Sequence, residues 1–160
     1  MVFIGISDII EHNNISPSDR LYVGIDWGGG SEGDYTIVSI INQEGKQVLL
    51  SRFNNLSPSK QITKIQVVLE QYYKQIDKIY CEVNGLGKPL TDMLRQIPTI
   101  KNKIVDWTTT NTSKNDLVSN MQVAIEQKKI RLLDNDIQRG EFESYQLEFN
   151  PKTKSITYNA

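Results

Sequence analysis

The 160-residue sequence contains few of the side chains on which many enzymes depend. Its one cysteine, Cys81, excludes an internal disulfide and a cysteine-based zinc site, and it favours a reducing, intracellular setting. Its one histidine, His12, lies in a polar run and offers little basis for serine-histidine triads or histidine-rich metal sites. We therefore expect no chemistry that depends on a thiol or an imidazole.

Long apolar runs and a strong net charge are also missing. No apolar run approaches the ~20 residues of a membrane span, and no signal-peptide pattern opens the sequence. The formal net charge is −1, so any contact with nucleic acid has to come from a local patch. A hydrophobic content of 38% is enough for a core at this length. The composition predicts a single soluble domain that makes no membrane contact.

The most informative stretch, residues 21–41, joins two strand-like segments through a glycine-rich loop. Asp26 ends the first segment and Asp34 precedes the second, and the loop between them contains glycines 28, 29, 30 and 33. Glycines let a bulky ligand approach the main chain. A neighbouring carboxylate suits either a divalent cation or a phosphate bound by backbone amides. The structural alternative is a hairpin whose aspartates only make turn hydrogen bonds.

Periodicity predicts the remaining elements. The predicted strands are 21–26, 35–41, 46–53, 77–83 and 103–108, and a terminal hairpin pairs 145–149 with 156–158 across a turn at 150–154. The predicted helices begin at Pro58 after Ser57, at Leu90, after an N-cap at Ser113, and at Ile137. This order is typical of the ribonuclease H-like fold. We expect an α/β protein with a mixed five-stranded sheet, flanking helices and a C-terminal β-hairpin.

Two acids, Asp26 and Glu82, end the first and fourth predicted strands. They meet only if these two strands are neighbours, as they are in the ribonuclease H-like fold. Such a pair can hold Mg²⁺ or Mn²⁺ between carboxylate oxygens and a substrate phosphate, and the cations can activate water for an in-line displacement. The structural alternative for Glu82 is an ion pair with Lys78 or Lys88.

Four segments carry a resemblance to a known family. They are Gly24-Ile-Asp26-Trp-Gly with Asp34 after the glycines, Glu82-Val-Asn-Gly85 followed by Gly87, Thr109 to Lys114 before a helix, and Glu141-Phe-Glu-Ser-Tyr145. In this order they resemble the C-terminal nuclease domain of the large terminase subunit of tailed phages, over roughly residues 20 to 160. The resemblance implies a two-metal endonuclease that cuts concatemeric viral DNA, with Asp26 and Glu82 as catalytic metal ligands and Asp34 near the metals.

The sequence also departs from this family. The family has a third metal-binding aspartate and a last helix after a Tyr-Asn-Ala-like segment, whereas this sequence ends at Tyr158-Asn-Ala160. The polar stretch before the first strand indicates a lead-in or linker segment over 1–20, and the resemblance implies an incomplete nuclease domain over 21–160. We expect this piece to be weak or inactive, and extension past Ala160 to restore activity. The ATPase motif G-x-x-x-x-G-K-[ST] does not occur in the sequence.

The resemblance implies double-stranded DNA, the terminase ATPase domain, the small terminase subunit and the portal as partners, in the cytoplasm of a bacterial host of the phage or prophage. Lys114, Lys88 and Asn84 are the candidate DNA contacts, although a solvated lysine is the alternative for Lys114 and Lys88. Two other functions stay open: a Holliday-junction resolvase, and a non-catalytic module that binds DNA or docks on the portal. A sugar-kinase or actin-like ATPase would need a second glycine-rich phosphate loop, which the sequence lacks.

Overall fold

A computed structural model describes residues 2–29, 33–150 and 155–159. The chain divides into two compact units, which we describe separately. The larger unit contains 14–43 and 47–109, and the smaller one contains 1–13, 44–46 and 110–160. The centre of the predicted glycine loop, 30–32, and most of the predicted turn at 150–154 lie outside the described residues.

A five-stranded sheet forms the larger unit. Its strands are β1 Leu21–Asp26, β2 Thr36–Asn42, β3 Gln47–Phe53, β4 Ile76–Glu82 and β5 Ile104–Trp107, in the spatial order β3-β2-β1-β4-β5. β2 pairs antiparallel with both β1 and β3, whereas β4 runs parallel to both β1 and β5. The predicted mixed sheet is therefore confirmed, and β1 and β4 are neighbours as the fold requires.

One face of this sheet is covered by two helices, α1 Pro58–Gln71 and α2 Gly87–Leu94. Along β1, buried residues alternate with more exposed ones, because successive side chains of a strand point to opposite faces. The buried residues of β1 share one hydrophobic core with apolar side chains of both helices; the core members include Val23, Ile25, Ile62, Ile65, Leu69 and Leu94. Asp26 lies on the opposite, more open face.

The smaller unit consists of a 3-10 helix at Ile6–Ile9, the helices α3 Asn111–Glu126 and α4 Asp136–Ser144, and an antiparallel hairpin of β6 Gln146–Asn150 and β7 Ser155–Asn159. Apolar residues from the N-terminal segment, from α3 and from the segment between α3 and α4 form its core; they are Phe3, Ile6, Ile9, Val118, Ile125 and Leu132. The first part of the predicted lead-in segment therefore contributes side chains to the core of the smaller unit. No helix in the described part of the chain has the length and apolar character of a membrane span.

The start of α3 differs from the prediction. Ser113 does not cap this helix, because it already lies in the first turn. The N-cap is Thr110, whose hydroxyl oxygen accepts a hydrogen bond from the Ser113 N–H at 3.1 Å. The Thr110 N–H in turn donates to the Ser113 hydroxyl at 2.8 Å. This reciprocal pair is a capping box, with serine in the place usually taken by glutamate or glutamine.

Candidate metal centre

The two predicted metal ligands, Asp26 and Glu82, lie at the same edge of the sheet. β1 and β4 are parallel and pair Ile25 with Cys81, so the next residue of each strand is an acid at the strand end. Burial, the negative charges of Glu82 and Asp34, and hydrogen bonding between Asp26 and Glu82 together raise the pKa of Asp26 from 3.8 to about 6. The topology thus brings together two acids that are 56 positions apart in the sequence.

Asp34 joins these acids around one cavity of about 220 Å³. The cavity is lined by Asp26, Trp27, Gly29, Asp34, Glu82, Asn84, Leu86 and Gly87. The Gly29 N–H donates a short hydrogen bond to the Asp34 carboxylate, which connects the two ends of the glycine loop. All three acids predicted for the metal site therefore line the same small cavity.

Among the described residues, no basic side chain forms an ion pair with Asp26, Asp34 or Glu82. Lys88, one alternative partner of Glu82, instead pairs with Asp92 at 2.8 Å. No set of three acidic, histidine or cysteine side chains among the described residues is arranged to ligate one ion. The site thus consists of one adjacent carboxylate pair, with Asp34 on the same cavity.

A buried hydrogen-bond network holds the chain where it leaves β1. The Gly28 N–H donates to the Thr36 hydroxyl at 2.8 Å, and this hydroxyl donates to Gln61 Oε1 at 2.6 Å. Gln61 Nε2 in turn donates a hydrogen bond to the Gly28 carbonyl oxygen at 3.3 Å. Thr36 and Gln61 are almost fully buried, so these bonds are shielded from water. Both polar groups of the Gly28 backbone, two residues after Asp26, are therefore held by the same α1 side chain and its threonine partner.

Two further features position this segment. The indole N–H of Trp27 donates to the Thr91 hydroxyl on α2 at 3.0 Å. A Cβ on Gly28 would lie 2.5 Å from the Asp34 carbonyl oxygen, so only glycine permits this close approach of the two ends of the loop. Sequence analysis did not single out Thr36, Gln61 or Thr91. The available signal was the polar Gln61 on the apolar stripe of α1, four residues before Ile65.

The three predicted DNA contacts occupy different positions. Asn84 lines the cavity, and its amide donates to the Thr109 carbonyl and accepts from the Thr109 N–H, each at 2.8 Å. Lys88 lies on the first turn of α2 and pairs with Asp92. Lys114 lies on the first turn of α3, in the smaller unit. Their roles in DNA binding stay predictions.

Several solved structures of large terminase nucleases are similar to this chain. Those of the thermophilic phage G20c with bound cobalt and with bound magnesium each align with a TM-score of 0.84 at 17% sequence identity, covering 99% of this chain and 87% of that chain. The Thermus phage P74-26 large terminase nuclease domain aligns with a TM-score of 0.78 at 16% identity, covering 99% of this chain and 85% of that chain. At such identities the similarity establishes the fold.

The family follows from the sequence itself. The search of curated proteins found no match. The family model described as the Terminase RNaseH-like domain matches residues 23–155, which is most of the chain and includes Asp26, Asp34 and Glu82. The chain therefore belongs to the terminase ribonuclease H-like domain family.

Proposed function

We propose that this domain cleaves double-stranded DNA, in particular concatemeric viral DNA during genome packaging, with Mg²⁺ or Mn²⁺ bound by Asp26 and Glu82. One observation carries the proposal: two carboxyl groups in mutual contact line a cavity and, among the described residues, have no basic partner. Adjacent unpaired carboxylates repel each other, and a bound cation would offset that repulsion.

The donor atoms fit such a cation. Mg²⁺ and Mn²⁺ prefer carboxylate and water oxygens, and Asp26 and Glu82 supply these oxygens from two rigid strand ends. Asp34 is held by the Gly29 amide on the same cavity and adds negative charge. Related terminase nucleases of phage G20c hold cobalt or magnesium, which supports a divalent-metal site in this family.

In the proposed mechanism, a bound cation would activate water and stabilise the leaving 3′-oxygen of the scissile phosphodiester. The chain's own residues prepare the site for this chemistry. Asp26 and Glu82 would bind the cation as carboxylates, so a proton on Asp26 competes with the cation when the pH lies near or below the Asp26 pKa of about 6. The network of Thr36, Gln61 and Gly28 holds the backbone just after Asp26, which limits the movement of this ligand.

We further infer that these residues by themselves cleave DNA slowly. A two-metal mechanism places its ions about 3.5 to 4 Å apart and needs further ligands to hold the second ion. The described part of the chain places two carboxyl groups in contact and holds Asp34 through Gly29. One well-held cation is what this set supports. Plasmid cleavage in Mn²⁺ tests the inference, and rapid cleavage that is lost in Asp26→Asn would contradict it.

Membership of the family supports further proposals about partners. We propose that the domain acts beside the terminase ATPase domain, with the small terminase subunit and the portal, in the cytoplasm of the infected host. Asn84, Lys88 and Lys114 remain candidate DNA contacts. The boundary between a lead-in over 1–20 and the nuclease domain over 21–160 likewise remains a proposal.

Calorimetric titration with Mn²⁺ tests the metal site directly. We expect Asp26→Asn and Glu82→Gln each to abolish Mn²⁺ binding, because each leaves a single carboxylate at the strand ends. Asp92→Asn is the matched control, since it removes an exposed acid that pairs with Lys88 on α2. Unchanged Mn²⁺ affinity in both site variants would refute the proposal.

Cleavage assays on different DNA substrates distinguish the terminase assignment from two alternatives, a Holliday-junction resolvase and a non-catalytic module. A Holliday-junction resolvase would cleave a four-way junction in preference to a linear duplex. A non-catalytic module would bind DNA or the portal, and any cleavage in the preparation would persist in Asp26→Asn. The terminase assignment instead predicts cleavage of linear duplex DNA that requires Asp26 and a divalent cation.

A further inference from the structure

A basic side chain lies in the same row of the sheet as Asp26. Asp26 pairs with Ile37 on β2, and Ile37 pairs with Arg52 on β3. Directly paired residues of neighbouring strands point to the same face of a sheet. The row therefore places Arg52 and Asp26 on one face, two strand spacings or about 10 Å apart.

Arg52 is held in a defined orientation. Its guanidinium carbon lies 3.4 Å from the centroid of the Tyr35 ring, which is a close cation-π contact. Tyr35 directly follows Asp34, so this ring stands where the glycine loop enters β2. Stacking restrains the guanidinium at low entropic cost and leaves its N–H groups free to bind a ligand.

The charge of Arg52 is available to a partner. Arg52 is exposed, and no carboxylate in the described ranges lies within ion-pair distance of it. By contrast, Arg95 and Arg139 each pair with an aspartate, Asp106 and Asp134 respectively. A stacked, unpaired guanidinium suits a phosphate, because its planar fork can donate two hydrogen bonds to one phosphate group.

We propose that Arg52 binds a backbone phosphate of the DNA strand whose scissile phosphate lies at Asp26 and Glu82. The proposal rests on the proposed function, because the acid pair defines where the scissile phosphate lies. The Arg52 and Asp26 positions are about 10 Å apart across the sheet, so both can contact the same strand. Arg52 would thus hold the cleaved strand close to the cut and fix its direction across the sheet.

A matched control is present on the other face of the sheet. Lys64 on α1 is also exposed and also lies over an aromatic ring, with its Nζ 5.1 Å from the centroid of Phe53. Phe53 follows Arg52 on β3 and is buried in the core on the helix-covered face. Lys64→Ala therefore removes the same formal charge from the same protein without touching the face that carries Asp26.

The test measures the anisotropy of a short fluorescent duplex in EDTA, where no metal-dependent cleavage occurs, between about 50 and 200 mM salt. We expect Arg52→Ala to weaken binding about tenfold at the low end of this range, as expected for a lost hydrogen bond to a charged group. The slope of log affinity against log salt should fall by about 0.9, the contribution of one phosphate contact. Lys64→Ala should change neither quantity. If Arg52→Ala does not fold, Arg52→Gln takes its place, because glutamine keeps most of the side-chain length and removes the charge.

Two readouts keep this inference separate from the proposed function. Arg52→Ala should bind Mn²⁺ as the unmodified protein does, because the residue does not touch the acid pair. The role of Arg52 would be overturned if Arg52→Ala and Lys64→Ala weakened binding equally, or if Arg52→Ala left the salt slope unchanged. It would also be overturned if the unmodified protein did not bind the duplex. Unchanged Mn²⁺ affinity in Asp26→Asn would instead overturn the proposed metal site, whatever the DNA measurements show.

Discussion

The carboxyl groups of Asp26 and Glu82 lie side by side at the ends of two neighbouring parallel strands and line one cavity. Burial and the charges of Glu82 and Asp34 raise the pKa of Asp26 to about 6, so Asp26 binds a proton more tightly than an exposed aspartate does. No basic side chain in the described residues forms an ion pair with either acid. The acid pair therefore costs stability when both groups are ionised, and it becomes favourable when a cation binds.

Asp26→Asn should stabilise the metal-free protein at neutral pH. The pKa of Asp26 is about 6 in the folded protein and 3.8 ordinarily, so between these values the folded state binds more protons than the unfolded state. Stability therefore falls as the pH rises through this window. A pKa change of this size corresponds to about 3 kcal/mol, which solvent screening at a partly exposed side chain reduces to about 1 to 2 kcal/mol.

Urea unfolding of both proteins in EDTA, at several pH values from about 4 to 7.5, measures this effect. The advantage of Asp26→Asn should grow as the pH rises and level off above the folded pKa of about 6. A difference that stays constant over this range would show that the ionisation of Asp26 does not destabilise the fold.

Mn²⁺ affinity should decrease as the pH falls below about 6, the pKa of Asp26. A metal ion competes with the proton for the same carboxylate, so binding releases a proton in this range. Calorimetry in two buffers of different ionisation enthalpy detects that proton. Binding without proton release at pH values below the pKa would place the ion away from Asp26.

Gln61→Leu should destabilise the protein and weaken Mn²⁺ binding. The change leaves the Thr36 hydroxyl and the Gly28 carbonyl without the buried partner that they now share. Each unsatisfied group costs about 1 to 3 kcal/mol, which urea unfolding measures. Gln66→Leu, on the same helix, is the control because its amide bonds only to Glu70 at an exposed site. Equal stability of the two variants would contradict a role for the network.

Gly87→Ala should shift the end of β4 and reduce Mn²⁺ affinity. A Cβ at this position would lie 2.0 Å from the Glu82 carbonyl oxygen, so the backbone next to the metal ligand has to move. Such overpacking costs about 1 to 3 kcal/mol. Thermal unfolding and Mn²⁺ titration measure the two effects, and an unchanged affinity would show that Glu82 tolerates the shift.

Gly140→Ala should have the opposite effect on stability. Gly140 lies inside α4, its added Cβ meets no atom within 4 Å, and its backbone has no positive φ. Replacing a helical glycine with alanine contributes up to about 1 kcal/mol through helix propensity. A lower melting temperature in this variant would show that the helix interior depends on this glycine.

The sequence by itself determined the elements and the acids at their ends. The alternation along residues 21–26 and the glycines that follow are local signals, so they identify β1 and the position of Asp26 without knowledge of the rest of the chain. The Ser57-Pro58 pair likewise marks the start of α1, because proline presets the backbone angle of a first helical turn. The order of these elements was sufficient to predict the fold.

Only the tertiary structure decided which residues meet. Strand register determines that Arg52 shares a row with Asp26, and register depends on pairing between distant segments. The bonds of Gln61 to Thr36 and Gly28 depend on how α1 packs on the sheet. At the start of α3, Thr110 and Ser113 were both suitable caps by residue type, and the backbone geometry selected Thr110. The local pattern of residues marks a buried polar side chain such as Gln61, but its partners depend on packing between segments and on backbone geometry.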